Sequence, residues 1–291
     1  MNEPGFNRPM AEADLGRLQG EAEVTRLRAL VDDYTVANLP VMNGSLKYSN
    51  FSEGPERLFT LNQYRLWEYV SLLQRLPELG GKVRFLDVGG AGAVLAYALA
   101  ERGHQGVAVD LNAELVATCA EVAKKRGLAL EALVGDATGD LTKAGEGFDL
   151  VTLVSVLEHI PENEWVKVFA NCARVLRPGG WLYLTFDYGD YRTAQPFGES
   201  VRDIAPVLAA VKAAGLRIKG NDPGRLGAEW LERKVAPGHE VFGRQYYLHM
   251  GRAPGVMKRL KREVKRVVAP LLQTPTRFAK HNFFRMLLEK N

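Results

Sequence analysis

The central part of the chain alternates between short apolar runs and longer amphipathic segments. Apolar runs bounded by glycine or charged residues predict buried strands, and the segments between them have the 3.6-residue spacing of helices. The predicted strands are KVRFLDVG, GVAVDL, LEALVGD, FDLVTLVSVL and GGWLYLTFD, with two further candidates in LRIKGND and GRQYYLHMG. Strands that alternate with helices favour a doubly wound α/β fold with a mostly parallel, seven-stranded sheet.

The two ends of the chain show a different pattern. Residues 1–80 are predicted to be mostly helical, with helices over 11–34 and 56–76 and a loop between them that contains Gly and Pro. Residues 252–291 place apolar side chains at helical spacing among many Lys and Arg, which predicts a basic amphipathic helical tail. We therefore divide the chain into a helical N-terminal cap (1–80), a central α/β domain (81–251) and this tail.

Charge is distributed unevenly along the chain. Residues 252–291 hold eleven Lys and Arg against two acidic residues, a net of +9, whereas the remainder has a net of −5. The tail could dock on the protein body, touch an anionic membrane surface or bind nucleic acid. We favour docking, and we expect no nucleic acid partner because the acidic remainder offers no second basic surface. Weak, reversible membrane association through residues 255–288 is the second hypothesis.

Composition excludes several classes of protein. With 46% hydrophobic and 25% charged residues, the 291-residue chain has an ordinary globular balance, and no run of about 18 apolar residues predicts a membrane span. The N-terminal segment lacks the apolar core of a signal peptide, and Cys119 and Cys172 form neither a disulfide framework nor zinc-ligand spacing. We expect a cytoplasmic protein, with the tail allowing peripheral contact at the inner membrane face.

The stretch FLDVGGAGAVLAYALA, residues 85–100, predicts a buried strand, a turn of small residues and a helix. Such a turn brings the backbone close to a ligand at the helix N-terminus. Asp87 stands two residues before the first glycine, where a carboxylate would repel a phosphate group. A ligand with an amino group and a sulfonium cation would instead gain from this charge.

The pattern resembles the D/E-x-G-x-G-x-G motif of class I S-adenosylmethionine-dependent methyltransferases, whose first two elements match Asp87 and Gly89. Ala91 and Ala93 stand where the motif has its second and third glycines. Gly90 and Gly92 are out of phase with the motif but keep the turn small. Because Ala resists positive φ angles, the turn requires one of the three glycines to take the unusual conformation.

Further segments support this resemblance over residues 83–187. FDLVTLVSVLEHIP resembles the signature of the small-molecule branch that includes ubiquinone-biosynthesis methyltransferases, and ARVLRPGGWLYLTF is typical of the wider family. The resemblance implies a Rossmann-like methyltransferase fold and S-adenosyl-L-methionine as cofactor. By the same resemblance, Asp110 would bind the ribose hydroxyls, and Asp136 and the backbone of Ala137 would contact the adenine. The cofactor set is completed by Leu111 and Ser155.

Methyl transfer requires a positioned nucleophile and sometimes a base that removes its proton. The candidates are His159 and Glu158, which follow the fourth predicted strand, although we favour a pocket or cap role for His159. Asp187 and Tyr188 follow the fifth strand, where substrate often enters in this family; packing is the more common role for a residue such as Tyr188. No carboxylate set for a catalytic divalent metal is evident, so we expect no metal.

The sequence thus predicts S-adenosylmethionine-dependent methyl transfer to a small molecule, a glycan or a lipid-linked head group. Two alternatives stay open at this point. One is a non-catalytic cofactor- or partner-binding protein, in which Ala91 and Ala93 mark a degenerate methyltransferase site. The other is a nucleotide-dependent oxidoreductase, because NAD-binding folds also place an acidic residue about 20 residues after a glycine turn.

Overall fold

The computed structural model describes residues 5–18, 20–37, 39, 63–190, 201–231 and 280–291. Its helices are α1 (Glu12–Arg17), α2 (Ala22–Val36), α3 (Gln63–Leu73), α4 (Val94–Glu101), α5 (Ala113–Arg126), α6 (Trp165–Val175), α7 (Ile204–Ala213) and α8 (Ala228–Leu231). Its strands are β1 (Arg8–Pro9), β2 (Arg84–Val88), β3 (Gln105–Asp110), β4 (Leu130–Val134), β5 (Phe148–Val154), β6 (Leu176–Asp190), β7 (Leu216–Ile218) and β8 (Lys280–Lys290).

The strands form one sheet in the order β4-β3-β2-β5-β6-β8, with β7 and β1 pairing along the far edge of β8. The five strands from β4 to β6 are parallel, and β8 is antiparallel to β6 and to β7. The predicted doubly wound, mostly parallel fold is therefore confirmed. The two-residue strand β1 was not predicted, and with it the described residues contain eight strands.

The prediction of a helical C-terminal tail is wrong for residues 280–290. They form β8, which pairs with β6 from Trp181 to Asp190. The apolar residues Phe283–Phe284 and Met286–Leu288, separated only by Arg285, are compatible with a helix stripe and with a strand buried on both faces, and the sheet decides between them. The candidate strand GRQYYLHMG and the rest of the basic tail lie outside the described residues, and β8 takes the place beside β6.

Helices cover both faces of the sheet, as alternating strands and helices require. One apolar core packs α2, α3, α4 and α5 against one face, and a second packs α6 and α7 against the other. Along β6 the odd-numbered residues such as Tyr183 face the first core, and the even-numbered residues such as Leu184 face the second. This alternation brings the side chains of Thr185 and Asp187 to the α3 side of the sheet.

The described N-terminal helices are part of the first core. Tyr34 in α2 packs its ring against Tyr97 of α4, with centroids 5.5 Å apart, and its hydroxyl donates to Glu101 at 2.7 Å. Trp67 in α3 is almost completely buried. One helix was predicted over 11–34, but the structure has two, with α1 ending at Arg17 and α2 beginning at Ala22. The helix predicted over 56–76 is confirmed by α3 within its described part, and the predicted loop after α2 lies almost wholly outside the described residues.

Candidate functional site

The candidate cofactor residues come together along one edge of the sheet, where the parallel strands end. Asp87 lies near the end of β2, Asp110 ends β3, and Asp136 follows β4 by two residues. Ser155 follows β5, and Asp187 lies near the end of β6. This edge is where ligands bind in open α/β sheets. Across the sheet, from β4 to β6, the residues follow in the order Asp136, Asp110, Asp87, Ser155 and Asp187.

In the glycine turn, glycines and not alanines take the positive φ angles. Gly89 has φ 77° and Gly92 has φ 82°, so glycines occupy both left-handed positions. Ala93 has φ −69° and ψ 145° as the N-cap of α4, and Ala91 is not among the positive-φ residues. The two alanines therefore stand at positions that any L-residue can adopt, and they do not strain the turn.

Gly90 is required for a different reason, the close approach of the Asp87 side chain. A Cβ atom at position 90 would lie 2.0 Å from Oδ2 of Asp87. No flexible neighbour could relieve this contact, because the Asp87 carboxylate is itself 2% exposed and fixed by a hydrogen bond. The absence of a side chain at position 90 thus leaves the room that the Asp87 carboxylate occupies.

Asp87 is a buried carboxylate with one oxygen satisfied and one not. The hydroxyl of Thr152 donates to Oδ1 at 2.6 Å, whereas the buried Oδ2 has no hydrogen-bond partner. Burial raises the pKa of Asp87 to about 6, the charge of Asp110 adds to this rise, and Thr152 and Arg65 oppose it. A buried, unsatisfied carboxylate oxygen is costly, and a cationic donor from a ligand would satisfy it.

Asp110 lies next to the glycine turn and beside exposed apolar side chains. Its Oδ1 accepts from the backbone N–H of Asn112 at 2.9 Å. Burial raises the pKa of this carboxyl, and backbone N–H groups of Asn112, Ala91 and Leu111 partly oppose the rise. Leu111 is 71% exposed, and Val134, which pairs with Asp110 in the register of β3 and β4, is 61% exposed. A carboxylate can accept hydrogen bonds from ribose hydroxyls, and the exposed apolar surface beside it can contact the face of an aromatic base.

The loop after β4 is anchored so that Asp136 and Ala137 remain at this edge. Asp136 is exposed, and its Oδ1 accepts from the N–H of Thr138 at 2.8 Å. Ala137 is buried, and its carbonyl accepts from the amide of Asn171 in α6 at 3.1 Å; the same amide also donates to Gly139. The prediction that these residues contact the adenine is consistent with their place and stays a prediction.

A hydrogen-bonded group that the sequence did not predict lies across the end of β5. Glu68 in α3 is completely buried, and its Oε1 accepts from the hydroxyls of Ser155 at 2.9 Å and Thr185 at 2.5 Å. The Arg65 guanidinium donates to Oε2 of Glu68 at 2.9 Å and to the hydroxyl of Ser155 at 2.7 Å. Ser155 has φ 52° and is the one non-glycine residue with positive φ in the described part of the chain.

The candidate acceptor side of the site contains Glu158, His159 and Asp187. Glu158 is 4% exposed with Oε2 unsatisfied, and burial followed by the charge of Asp187 raises its pKa well above the ordinary value. His159 is exposed, and partial loss of hydration lowers its pKa, as does Arg65, while Asp187 opposes this. The raised pKa favours the protonated form of Glu158, and the lowered pKa favours the neutral form of His159.

Tyr188 does not join this group. It is 6% exposed, and its ring lies edge-on to Phe284 of β8 at 5.2 Å and to Phe186 at 6.4 Å. Because its side chain points to the face of the sheet opposite Asp187, the packing role accounts for it, and its substrate role has no support in this arrangement. Among the residues described, no group of three or more His, Cys, Asp or Glu side chains could hold a metal ion.

Sequence patterns gave little indication of Arg65 and Glu68. Both lie in an amphipathic helix, α3, that precedes β2, and Arg and Glu three residues apart on such a helix usually form a solvated pair. Trp67 and Tyr69, two large aromatic residues on different faces of the helix, were the available signal that this helix is buried on more than one side. Val134 could be found only from the register of β3 and β4, which sets it beside Asp110.

The arrangement defines a class of protein. A doubly wound sheet carries a glycine turn with a buried acid before it, a second acid at the next strand end and apolar surface beside it. This is the nucleoside-binding geometry of Rossmann-like domains, with a carboxylate where a dinucleotide site would have a phosphate.

Comparisons with known proteins identify the domain more closely. Residues 85–180 match the family described as Methyltransferase domain. A ubiquinone biosynthesis O-methyltransferase from Xanthomonas oryzae pv. oryzae (strain PXO99A) is 39% identical over 139 residues, which cover 46% of this chain and 54% of that protein. The chain thus spans about half the length of the curated relatives it matches. The matched segment of the chain is therefore similar to methyltransferase domains over residues 85–180.

A solved structure supports the fold over a larger part of the chain. The 4+2 cyclase SpnF aligns with 92% of this chain and 93% of its own, at 21% identity and a TM-score of 0.55. At this level of identity the similarity shows the fold alone. A cyclase with this fold also means that the activity of the present chain has to be argued from its site.

Proposed function

We propose that this protein transfers a methyl group from S-adenosylmethionine to a small-molecule acceptor. The observation that carries the proposal is the buried Oδ2 of Asp87, which has no hydrogen-bond partner and lies under a glycine turn. The amino group of S-adenosylmethionine is a cationic donor that would satisfy it. The anionic pyrophosphate of a dinucleotide would be repelled by the same oxygen.

The order of side chains along the sheet edge supports one orientation of the cofactor. Adenine at Asp136 and ribose at Asp110 place the nucleoside across β4 and β3. The amino-acid part then extends past Asp87 on β2 toward Ser155 at the end of β5. Arg65, which donates to Ser155, supplies a cation for the carboxylate at that end.

When bound, the cofactor supplies an electrophilic methyl group, and the described residues would position its acceptor. The raised pKa of Glu158 favours its protonated form, which can donate a hydrogen bond to an acceptor oxygen and is poorly suited to act as a base. A neutral, exposed His159 can accept a proton. We therefore assign the base role to His159, in place of the pocket or cap role that the sequence favours, and a substrate-binding role to Glu158 and Asp187.

The first prediction concerns the cofactor and separates the three classes of function. We expect S-adenosylhomocysteine to bind with micromolar affinity and NAD not to bind, by isothermal titration calorimetry. Asp110→Ala should weaken S-adenosylhomocysteine binding by about 1.5–3 kcal/mol, the range for hydrogen bonds to a charged group. Binding of NAD alone would favour the oxidoreductase, and binding of neither ligand would favour a degenerate site. Asp140→Ala, an exposed acid further along the loop after β4, is the control.

The second prediction concerns His159. His159→Ala should lower the methyl-transfer rate by about 10²–10⁴-fold, the usual contribution of a general base. Affinity for S-adenosylhomocysteine should change little, and so should the melting temperature, because the side chain is exposed. Release of S-adenosylhomocysteine with phenol and amine acceptors measures the rate. A loss of affinity or stability at an unchanged rate would instead assign His159 to the pocket or to the turn after β5.

Membrane contact and a lipid-linked acceptor have less support than methyl transfer itself. The apolar residues within 283–288, which the sequence hypothesis gives to a membrane-facing stripe, are buried in the sheet as part of β8. Residues 255–279 lie outside the described parts of the chain. Among the helices that the structure does describe, none is long and apolar enough to cross a bilayer. A glycan or lipid-linked head group is compatible with the proposal, but no described residue favours either.

A further inference from the structure

Glu68 is an acidic residue in an unusual position. It lies in α3, before the matched domain of residues 85–180, yet its side chain reaches the end of β5 in that domain. Its exposed fraction is 0%. A carboxylate is rarely buried so completely unless each of its oxygens is hydrogen-bonded, so its partners indicate what its burial achieves.

The partners of Glu68 belong to three different elements. Oε1 accepts from Ser155 after β5 and from Thr185 in β6, and Oε2 accepts from Arg65 one turn earlier in α3. The hydroxyl of Tyr183 in β6 also donates to the backbone carbonyl of Glu68 at 2.7 Å. One carboxylate therefore joins the cap helix to the two strands that border the acceptor side of the site.

Ser155 has the backbone conformation that most needs such support. At φ 52° it occupies the left-handed region, which is unfavourable for a residue with a Cβ atom. Its N–H donates to the carbonyl of Thr185 at 3.0 Å, and its hydroxyl lies between Glu68 and Arg65. Strained residues of this kind persist where the surroundings over-determine them, and they occur often at ligand sites.

We infer that Glu68 is a positioning residue, which holds Ser155 and Arg65 in place for the amino-acid end of the cofactor. The inference rests on the proposed function, because the strand order brings that end of S-adenosylmethionine past Asp87 to the end of β5. Glu68 itself is covered by its partners and acts through them. Without the charge of Glu68, the Nη1 group of Arg65 loses one of its acceptors and keeps Ser155, and the turn after β5 loses its anchor.

A purely structural role for Glu68 is the competing explanation, and two ligands distinguish it from positioning. S-Adenosylhomocysteine has an amino-acid end, whereas 5′-methylthioadenosine has the same nucleoside and sulfur without that end. A residue that acts at Ser155 and Arg65 should affect only the first ligand. A residue that merely stabilises the fold should affect both ligands alike, since both bind at Asp110 and Asp136.

The experiment measures both ligands by calorimetry on the full chain with Glu68→Gln. We expect S-adenosylhomocysteine affinity to fall about 10- to 100-fold, as for loss of a charged hydrogen-bond partner. Affinity for 5′-methylthioadenosine should stay within about twofold. Ser71→Ala is the matched control: Ser71 is also buried in α3, donates to the carbonyl of Trp67 and accepts from Arg285. Ser71→Ala is expected to lower the melting temperature, but its ratio of the two affinities should equal that of the wild type.

Three results would overturn the inference. Equal losses for the two ligands would make Glu68 structural, and no loss for either would remove it from the site. Failure of the wild-type protein to bind either ligand would refute the proposed function first. If Glu68→Gln does not fold, Thr185→Val removes one donor to Oε1 without changing side-chain shape, and the same selective loss at smaller size is expected.

Discussion

Deletion of residues 280–291 is expected to abolish folding of the whole domain. The deletion removes β8, and with it the pairing partner of β6, β7 and β1. It also removes five side chains that are at most 7% exposed, which contribute about 1.5–3 kcal/mol each when buried. Their total is comparable with the entire stability of a typical domain, about 5–15 kcal/mol. The five are Phe283, Phe284, Met286, Leu287 and Leu288.

Far-ultraviolet circular dichroism, thermal melting and gel filtration would measure this effect. Deletion of Asn291 alone is the control, because this residue is exposed and contributes one surface hydrogen bond to Gly215. We expect the control to melt like the full chain and the longer deletion to show no cooperative transition. A folded, monomeric product of the longer deletion would show that β8 is dispensable. The result also matters for the basic tail, whose function cannot be tested by truncation before β8.

Asp87→Asn is expected to have opposite effects on cofactor binding and on the stability of the ligand-free protein. The substitution removes the negative charge that we assign to the cofactor's amino group, so S-adenosylhomocysteine affinity should fall about 10- to 100-fold. The ligand-free protein should be at least as stable as the wild type at neutral pH. The reason is that a buried charge with an unsatisfied oxygen is removed while the shape is kept.

The raised pKa of Asp87 also predicts how stability and cofactor affinity change with pH. Because the pKa of Asp87 is raised from 3.8 to about 6 in the folded protein, folding favours its protonated form. Its contribution to stability is therefore lost as pH rises between about 4 and 6, and the total loss is at most about 3 kcal/mol. A cationic ligand favours the ionised form. Affinity for S-adenosylhomocysteine should therefore increase as pH rises through about 6, with release of a proton.

Thermal melting and calorimetry of both proteins from pH 5 to 8 would test these expectations. The difference between wild type and Asp87→Asn isolates Asp87 from Asp110 and Glu158, whose pKa values are raised in the same direction. Thr152→Val is the comparison variant: it keeps the Asp87 carboxyl but removes the donor that lowers its pKa, so the pH at which affinity increases should shift upward. An affinity that is independent of pH in the wild type would contradict a charged contact at Asp87.

The sequence was sufficient to predict the parts of the site that depend on local pattern. The turn at Gly89–Gly92 and the acid at Asp110 follow directly from strand ends, so their place at one edge of the sheet could be predicted from the alternation of elements. The condition that glycines supply the unusual backbone angles is met by Gly89 and Gly92. Their neighbours Ala91 and Ala93, which suggested a degenerate site, cause no strain.

What the sequence did not reveal depends on contacts between distant segments. Residues 280–290 are apolar enough for either a helix or a central strand. They form a strand because the edge of β6 needs a pairing partner, which the local sequence does not reveal. Glu68 is similar, because nothing within α3 indicates that its carboxylate meets Ser155, 87 positions later in the chain. Side chains that act across such separations are visible only when the topology of the sheet is known.

The position of β8 has a consequence for biosynthesis. β6 ends at Asp190, whereas the strand that covers its outer edge begins at Lys280, so the ribosome exposes β6 well before its partner is made. During that interval the backbone edge of a long apolar strand is open to pairing with other chains, and β1 and β7 also lack their partner. We therefore expect the nascent chain to depend on chaperones, and the yield of folded protein to depend more on expression temperature than on the stability of the finished fold.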